Sequence, residues 1–227
     1  MKIAIFYHVF CVNHWEDVFR EQIEALKDSG LANVADYIQI NIVGTEWDYS
    51  MCRFYTYKIL AKEGNLAKIE MRNTQENTFE YGTLKNLHEY CQSNNGAVLY
   101  LHTKGVANRQ AEENQAAWRR YMQYFCVEKW QDCLKKLSEE YDCCGVNWWG
   151  DMEKPHFSGN FWWADCEYVA KLPELLPPWT EGLFRTEYEF WIGYGKPKAH
   201  SFCQNGKAFY LTKIEESEYK ICREEIL

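Results

Sequence analysis

The segment Leu99-Tyr100-Leu101-His102-Thr103-Lys104-Gly105 ends an apolar run with a histidine, a hydroxyl, a cation and a glycine in succession. These types suit an anion. Lys104 supplies a point charge, Thr103 a hydroxyl, and Gly105 lets backbone N–H groups approach. The same letters also read as a capped strand end with an exposed lysine. Further on, Arg185-Thr186-Glu187-Tyr188-Glu189-Phe190-Trp191 sets two carboxylates on either side of one tyrosine. A glutamate beside an apolar Phe-Trp pair has the setting that raises a carboxyl pKa and suits a general base. A glutamate in a first helical turn equally does no more than complement the helix dipole. His200, flanked by Ala199 and Ser201, has the chemistry of a metal ligand or phosphate contact, and equally that of a core or surface histidine.

His156-Phe157-Ser158-Gly159-Asn160-Phe161-Trp162-Trp163-Ala164 carries a tryptophan doublet close behind another, Trp148-Trp149. Indole rings among Ser, Asn and His line clefts for flat, hydroxyl-rich ligands, of which a sugar is the first candidate; an aromatic core gives the same pattern. In an extended chain Trp162 and Trp163 point to opposite faces, so one would stack on ligand while its neighbour packs inside.

These segments need elements to hold them. Lys2–Phe10 reads as a buried first strand, Trp15–Asp28 as an amphipathic helix stopped at Ser29-Gly30, and Ala35–Val43 as a second strand. A helix over Ser50–Lys62 ending at Gly64-Asn65, a short strand over Ala67–Met71, a helix over Thr83–Gln92 and a strand over Ala97–His102 follow. This alternation predicts an α/β fold with a mixed, mostly parallel sheet flanked by helices, whose ligands gather at the carboxyl ends of the strands. Ala111–Leu137 lacks Gly and Pro and repeats apolar residues at helical spacing, which predicts one long helix. Tyr141–Asn147 reads as a fifth strand. Aromatic loops, a Leu176-Pro177-Pro178 turn, a helix near 186–194 and an acidic tail complete the chain.

Composition removes several classes. The 227 residues carry a net charge of −8, which disfavours binding to nucleic acid. No apolar run is long enough to span a bilayer. The opening MKIAIFYHVFCVNHWEDVF lacks the apolar core and small-residue cleavage site of a signal peptide, so a cytoplasmic protein is expected. The ten cysteines include no Cys-x-x-Cys pair, which argues for reduced core thiols over a zinc site. No P-loop, G-x-G-x-x-G, G-x-S-x-G or Asp-x-Asp occurs.

Taken together, LYLHTKG, WRRYM, YDCCGVNWW, HFSGNFWWA and RTEYEFWIG resemble bacterial and viral glycosyltransferases of the kind found in capsule and lipopolysaccharide biosynthesis. The resemblance spans roughly positions 97 to 195, and HTKG combined with SGNFWW is its most specific part. It implies a GT-A-like (Rossmann-like) single domain over 1–227, with a nucleotide-sugar-binding half (1–110) and an acceptor-binding half (111–227). Tyr7 and His8 would lie near the donor nucleotide. His102, Thr103, Lys104 and Gly105 would stand where many such enzymes carry Asp-x-Asp, with Lys104 replacing the divalent Mn or Mg ion as the diphosphate's counter-charge. His200 would fall at a C-terminal phosphate or metal position. His156, Ser158, Gly159, Asn160, Trp162, Trp163 and Trp191 would line the acceptor side. Glu189, or else Glu187, would deprotonate the acceptor hydroxyl for direct displacement with inversion. A required metal cofactor is not expected. The implied partners are a nucleotide-sugar donor and a glycan acceptor; a non-catalytic carbohydrate-binding protein is the alternative.

Overall fold

The computed structural model describes residues 1–60, 68–109 and 112–221. In chain order the elements are β1 (Ile3–Phe10), α1 (Trp15–Asp28), α2 (Leu31–Val34), β2 (Tyr37–Val43), α3 (Glu46–Leu60), β3 (Ile69–Thr74), α4 (Tyr81–Ser93) and β4 (Ala97–His102). Then come α5 (Glu113–Gln123), a π turn (Tyr124–Glu128), α6 (Trp130–Ser138), β5 (Cys143–Gly145), β6 (Trp162–Asp165), α7 (Cys166–Val169), α8 (Glu187–Phe190), a 3-10 turn (Trp191–Gly193), β7 (Ala199–Ser201) and α9 (Glu216–Ile221).

One seven-stranded sheet runs β3-β2-β1-β4-β6-β5-β7. β1 pairs in parallel with β2 and β4, and β2 with β3, whereas β6 runs antiparallel to both β4 and β5. The fold is therefore α/β with a mixed, mostly parallel sheet. From β1 the chain first builds outward through β2 and β3, then returns to add β4 on the other side. That reversal opens a crevice at the carboxyl ends of β1 and β4, the usual ligand position in such sheets.

Alternation along the strands divides the apolar residues between two cores. Ile3, Ile5, Tyr7 and Val9 of β1 pack under α1, α3, α5 and α6, while Ala4 and Phe6 face α4, α7 and the 3-10 turn. The strand β6 does the same with its doublet: Trp163 enters the first core and Trp162 the second. Their opposite orientation follows from the strand period, but both are buried, at 0% and 1% exposure, because helices cover both faces of the sheet.

The long helix expected over Ala111–Leu137 is interrupted. The widened π turn releases backbone carbonyls that side chains then claim. Trp163 Nε1 donates to the Cys126 carbonyl at 2.7 Å and Cys133 Sγ donates to that of Phe125 at 3.3 Å. The helix resumes at Trp130 beyond Lys129, whose ψ of 32° breaks it. The start of the expected helix, Ala111, lies outside the described residues.

The third helix begins at Glu46 rather than Ser50, because Thr45 and Asp48 form a reciprocal cap: Thr45 N–H donates to Asp48 Oδ2 at 2.8 Å and Asp48 N–H to Thr45 Oγ1 at 3.2 Å. Its expected last residues, the Gly64-Asn65 stop and Ala67 also lie outside the described residues. The strand β3 is displaced to Ile69–Thr74, and the fifth strand shrinks to Cys143–Gly145. The nine cysteines among the described residues are free thiols, and all but Cys11 are buried. No helix among the described residues is long and apolar enough to cross a membrane.

Candidate functional site

Adjacent strands bring two histidines together at the crevice: His8 and His102 are register partners on β1 and β4. His8 is 4% exposed, its Nδ1 3.0 Å from Thr83 Oγ1, and burial lowers its pKa from 6.5 to about 4. Burial, aided by Lys104, holds His102 well below the ordinary histidine value. Its Nε2 lies 2.9 Å from the Gly159 carbonyl oxygen, which can only accept, so this nitrogen carries the proton.

The turn after β4 is clamped from both sides. Phe10 N–H donates to Thr103 Oγ1 at 3.0 Å, Arg119 Nη1 donates to the Lys104 carbonyl at 2.9 Å, and Arg119 forks onto Glu21 at 3.1 and 2.9 Å. Thr103 is thus a turn clamp, 3% exposed. Gly105 has φ +95°, and a Cβ there would press on Gln115 at 3.1 Å, so glycine fits where other residues strain. Fixed in this way, Lys104 carries its ammonium into the crevice, 4.0 Å above the Trp118 ring and 3.5 Å from Tyr210 Oη.

The opposite wall comes from the later half of the chain. Residues 147–149 and 156–158 pair, with Ser158 N–H donating to the Asn147 carbonyl at 3.0 Å, and the chain then turns through Gly159 (φ +90°) and Asn160 (φ +59°) into β6. This turn offers its carbonyl to His102 and its N–H to Glu189 Oε1 at 3.1 Å. Trp162 Nε1 donates to Asn160 Oδ1 at 2.8 Å, while Asn160 Nδ2, in a residue 3% exposed, finds no hydrogen-bond partner among the described residues.

The resulting cleft has a volume of about 300 Å³ and is lined by His8, His102, Lys104, Asn160, Arg185 and Glu189 together with Glu80, Phe10, Phe79 and Tyr210. The cleft lining therefore holds two cations, Lys104 and Arg185, and two carboxylates, Glu80 and Glu189. Burial raises the Glu80 carboxyl pKa and Glu189 adds to this, against the opposing pull of its own backbone N–H, Arg185 and Lys104. Under the cleft, the Tyr100 hydroxyl is pushed well up by burial and by the two glutamates.

Several expected positions lie elsewhere. Tyr7 is a core residue: its hydroxyl donates to Gln22 Oε1 at 2.7 Å and its ring stacks on Phe19. His200 is on the outer strand β7, its ring between Tyr141 and Phe202, so it is not a cleft ligand. Glu187 is bound by Lys154 and Tyr194 away from the cleft lining. Trp162, Trp163 and Trp191 do not form an acceptor wall. All three are buried, and Trp191 Nε1 donates to the Pro173 carbonyl at 2.9 Å. His156 is held by the Lys154 carbonyl and Phe190, and neither it nor Ser158 lines the cleft.

Glu80, Arg185 and Tyr210 line the cleft without being among the residues the sequence points to. Arg185 lies two residues ahead of Glu187 in the RTEYEFWIG segment, whose paired carboxylates are the signal that could find it. Glu80 in FEYG has no motif, and only the fold brings it to the cleft.

The chain belongs to the family described as a domain of unknown function, DUF8361, whose model matches residues 6–195. That span takes in every cleft residue named above except Tyr210. No curated protein matches the chain.

Proposed function

We propose that the protein is a glycosyltransferase that moves a sugar from a nucleotide-sugar donor to a hydroxyl of a glycan or other acceptor. The observation that carries this reading is the pairing of two cations with two carboxylates in one cleft at the carboxyl ends of β1 and β4. Lys104 and Arg185 would neutralise the departing nucleoside diphosphate, whose charge grows as the glycosidic bond breaks. Glu189, oriented by the Gly159 N–H, would take the proton from the acceptor hydroxyl as that oxygen attacks the anomeric carbon. A base opposite the leaving group gives direct displacement with inversion. Asn160 Nδ2 and the His102 edge supply polar contacts that fix the sugar.

A GT-A-like arrangement accords with the sheet: a parallel first half ends at the crevice, and the reversed strand β6 carries the second half across it. At the strand end His102, Thr103 and Lys104 do not make a donor set for a divalent ion, since Thr103 Oγ1 is engaged by Phe10 and Lys104 is a cation. No group of three or more His, Cys, Asp or Glu among the described residues could hold one. A free-thiol core suits the reducing cytoplasm. The alternative, a non-catalytic sugar-binding protein using the aromatic cleft, is less well supported, because Trp162, Trp163 and Trp191 are buried and offer no face to a ligand.

The test is thermal denaturation of the full chain with UDP-, GDP-, dTDP- and CMP-sugars, with and without manganese. A donor at a hundredfold its Kd stabilises by about 2.7 kcal/mol, a readily measured rise in Tm. No shift with any of them rejects the reading.

A further inference from the structure

Beside the cleft, the loop 176–184 exposes large apolar side chains that the fold does not use: Trp179 is 71% exposed, Phe184 71% and Leu176 54%. The loop is not loosely attached. Tyr188 Oη donates to the Leu176 carbonyl at 3.1 Å, and Thr180 N–H donates to that of Pro177 at 2.9 Å. Trp179 meets the Tyr81 ring in a T-shaped contact at 6.0 Å, so the indole is held against its neighbour while most of it stays exposed.

Its position ties it to the cleft. Tyr81 directly follows Glu80, and Phe184 directly precedes Arg185; Glu80 and Arg185 both line the cleft. Trp179 is thus joined to the cleft lining by two routes, through its ring contact with Tyr81 to Glu80 and along the chain to Arg185. An exposed indole held one residue's reach from a cleft that carries acidic hydrogen-bond acceptors suits the apolar face of a pyranose ring in a chain of sugars entering that cleft. The surroundings do not suit an anionic lipid surface: Glu174 and Glu181 flank the ring in the sequence, and the chain carries a net charge of −8.

We infer that Trp179, backed by Tyr81, is a saccharide-stacking subsite, and that the acceptor is an oligosaccharide extending out of the cleft over it. The inference rests on the transferase reading for its direction, since it places the acceptor's distal sugars here and its reacting hydroxyl at Glu189.

The experiment uses the full chain and three neutral probes, maltoheptaose, cellohexaose and chitohexaose, titrated by calorimetry and by tryptophan fluorescence. At least one should bind. W179A should weaken that binding about tenfold or more, the usual consequence of removing an aromatic anchor. W47A removes another exposed tryptophan that does not line the cleft and should leave the affinity unchanged. The proposal is overturned if none of the probes binds, if W179A binds as tightly as the parent, or if W179A instead abolishes binding to phosphatidylcholine–phosphatidylglycerol vesicles. The nucleotide-sugar thermal shift separates the two readings. A donor shift without saccharide binding removes the subsite alone. Saccharide binding through Trp179 without any donor shift removes the transferase and leaves the subsite standing.

Discussion

His102 and Gly159 are joined across the cleft: the imidazole Nε2–H of the strand end donates to the glycine carbonyl at 2.9 Å. The same peptide turn offers its N–H to Glu189 at 3.1 Å. One glycine thus couples the turn that carries Lys104 to the carboxylate of the second half, and the relative position of the two chemical groups depends on it.

Gly159→Ala should break that coupling. The residue has φ +90°, and an added Cβ would collide with Met122 Sδ and come within 2.9 Å of Trp118. Strain and overpacking together should cost about 2–4 kcal/mol in urea denaturation. Any folded fraction should show a reduced donor shift.

Glu189→Gln keeps the shape and a hydrogen-bond acceptor for Gly159 but removes the base. Turnover should fall about 10²–10⁴-fold while the nucleotide-sugar thermal shift is retained. Unchanged turnover would move the base to another group, with Glu80 the first to examine.

Lys104→Met and Arg185→Met each remove one cation and keep the aliphatic stem. Each should weaken nucleotide-sugar binding about 10- to 100-fold, the value of a charge-assisted contact. The remaining binding should depend less on salt. If uridine binds the parent as tightly as UDP does, the cations are not facing a diphosphate.

Acid should destabilise the fold before its carboxylates titrate fully. His8 is lowered from 6.5 to about 4 by burial, and His102 shifts in the same direction. Between those pH values the unfolded chain binds more protons than the folded one, so stability rises with pH. The His8 contribution is complete above about pH 6.5 and lost progressively down to pH 4, a change of about 3 kcal/mol. Denaturation curves at pH 7.5, 5.5 and 4.5 measure the slope. His8→Asn should flatten it, and an unaltered slope would show that His8 does not carry it.

Trp163→Phe tests whether the doublet is architectural. Its Nε1 donates to the Cys126 carbonyl at 2.7 Å, so the substitution leaves a buried acceptor of the π turn without its partner. A loss of about 1–3 kcal/mol is expected, with saccharide and nucleotide-sugar affinity unchanged.

Local pattern made much of this protein legible before folding. The apolar runs at Ile3–Phe10, Tyr37–Val43 and Ala97–His102 reveal parallel strands buried on both faces, because hydrophobic periodicity is a property of neighbouring residues. The strand-end position of His102 to Gly105 follows from the same pattern, and so do the opposed faces of Trp162 and Trp163. Three outcomes belong to the tertiary structure alone. The tryptophan doublet became core because helices cover both faces of β6, and burial depends on what other elements supply. The long helix widens at Tyr124–Glu128, where a freed carbonyl, that of Cys126, is taken by Trp163, a residue remote in sequence. The cleft's charges come from three separate stretches, at 80, at 104 and at 185–189, which no spacing rule connects to one another. They meet because the sheet reverses at β1 and β4 and β6 folds the second half of the chain back over that point.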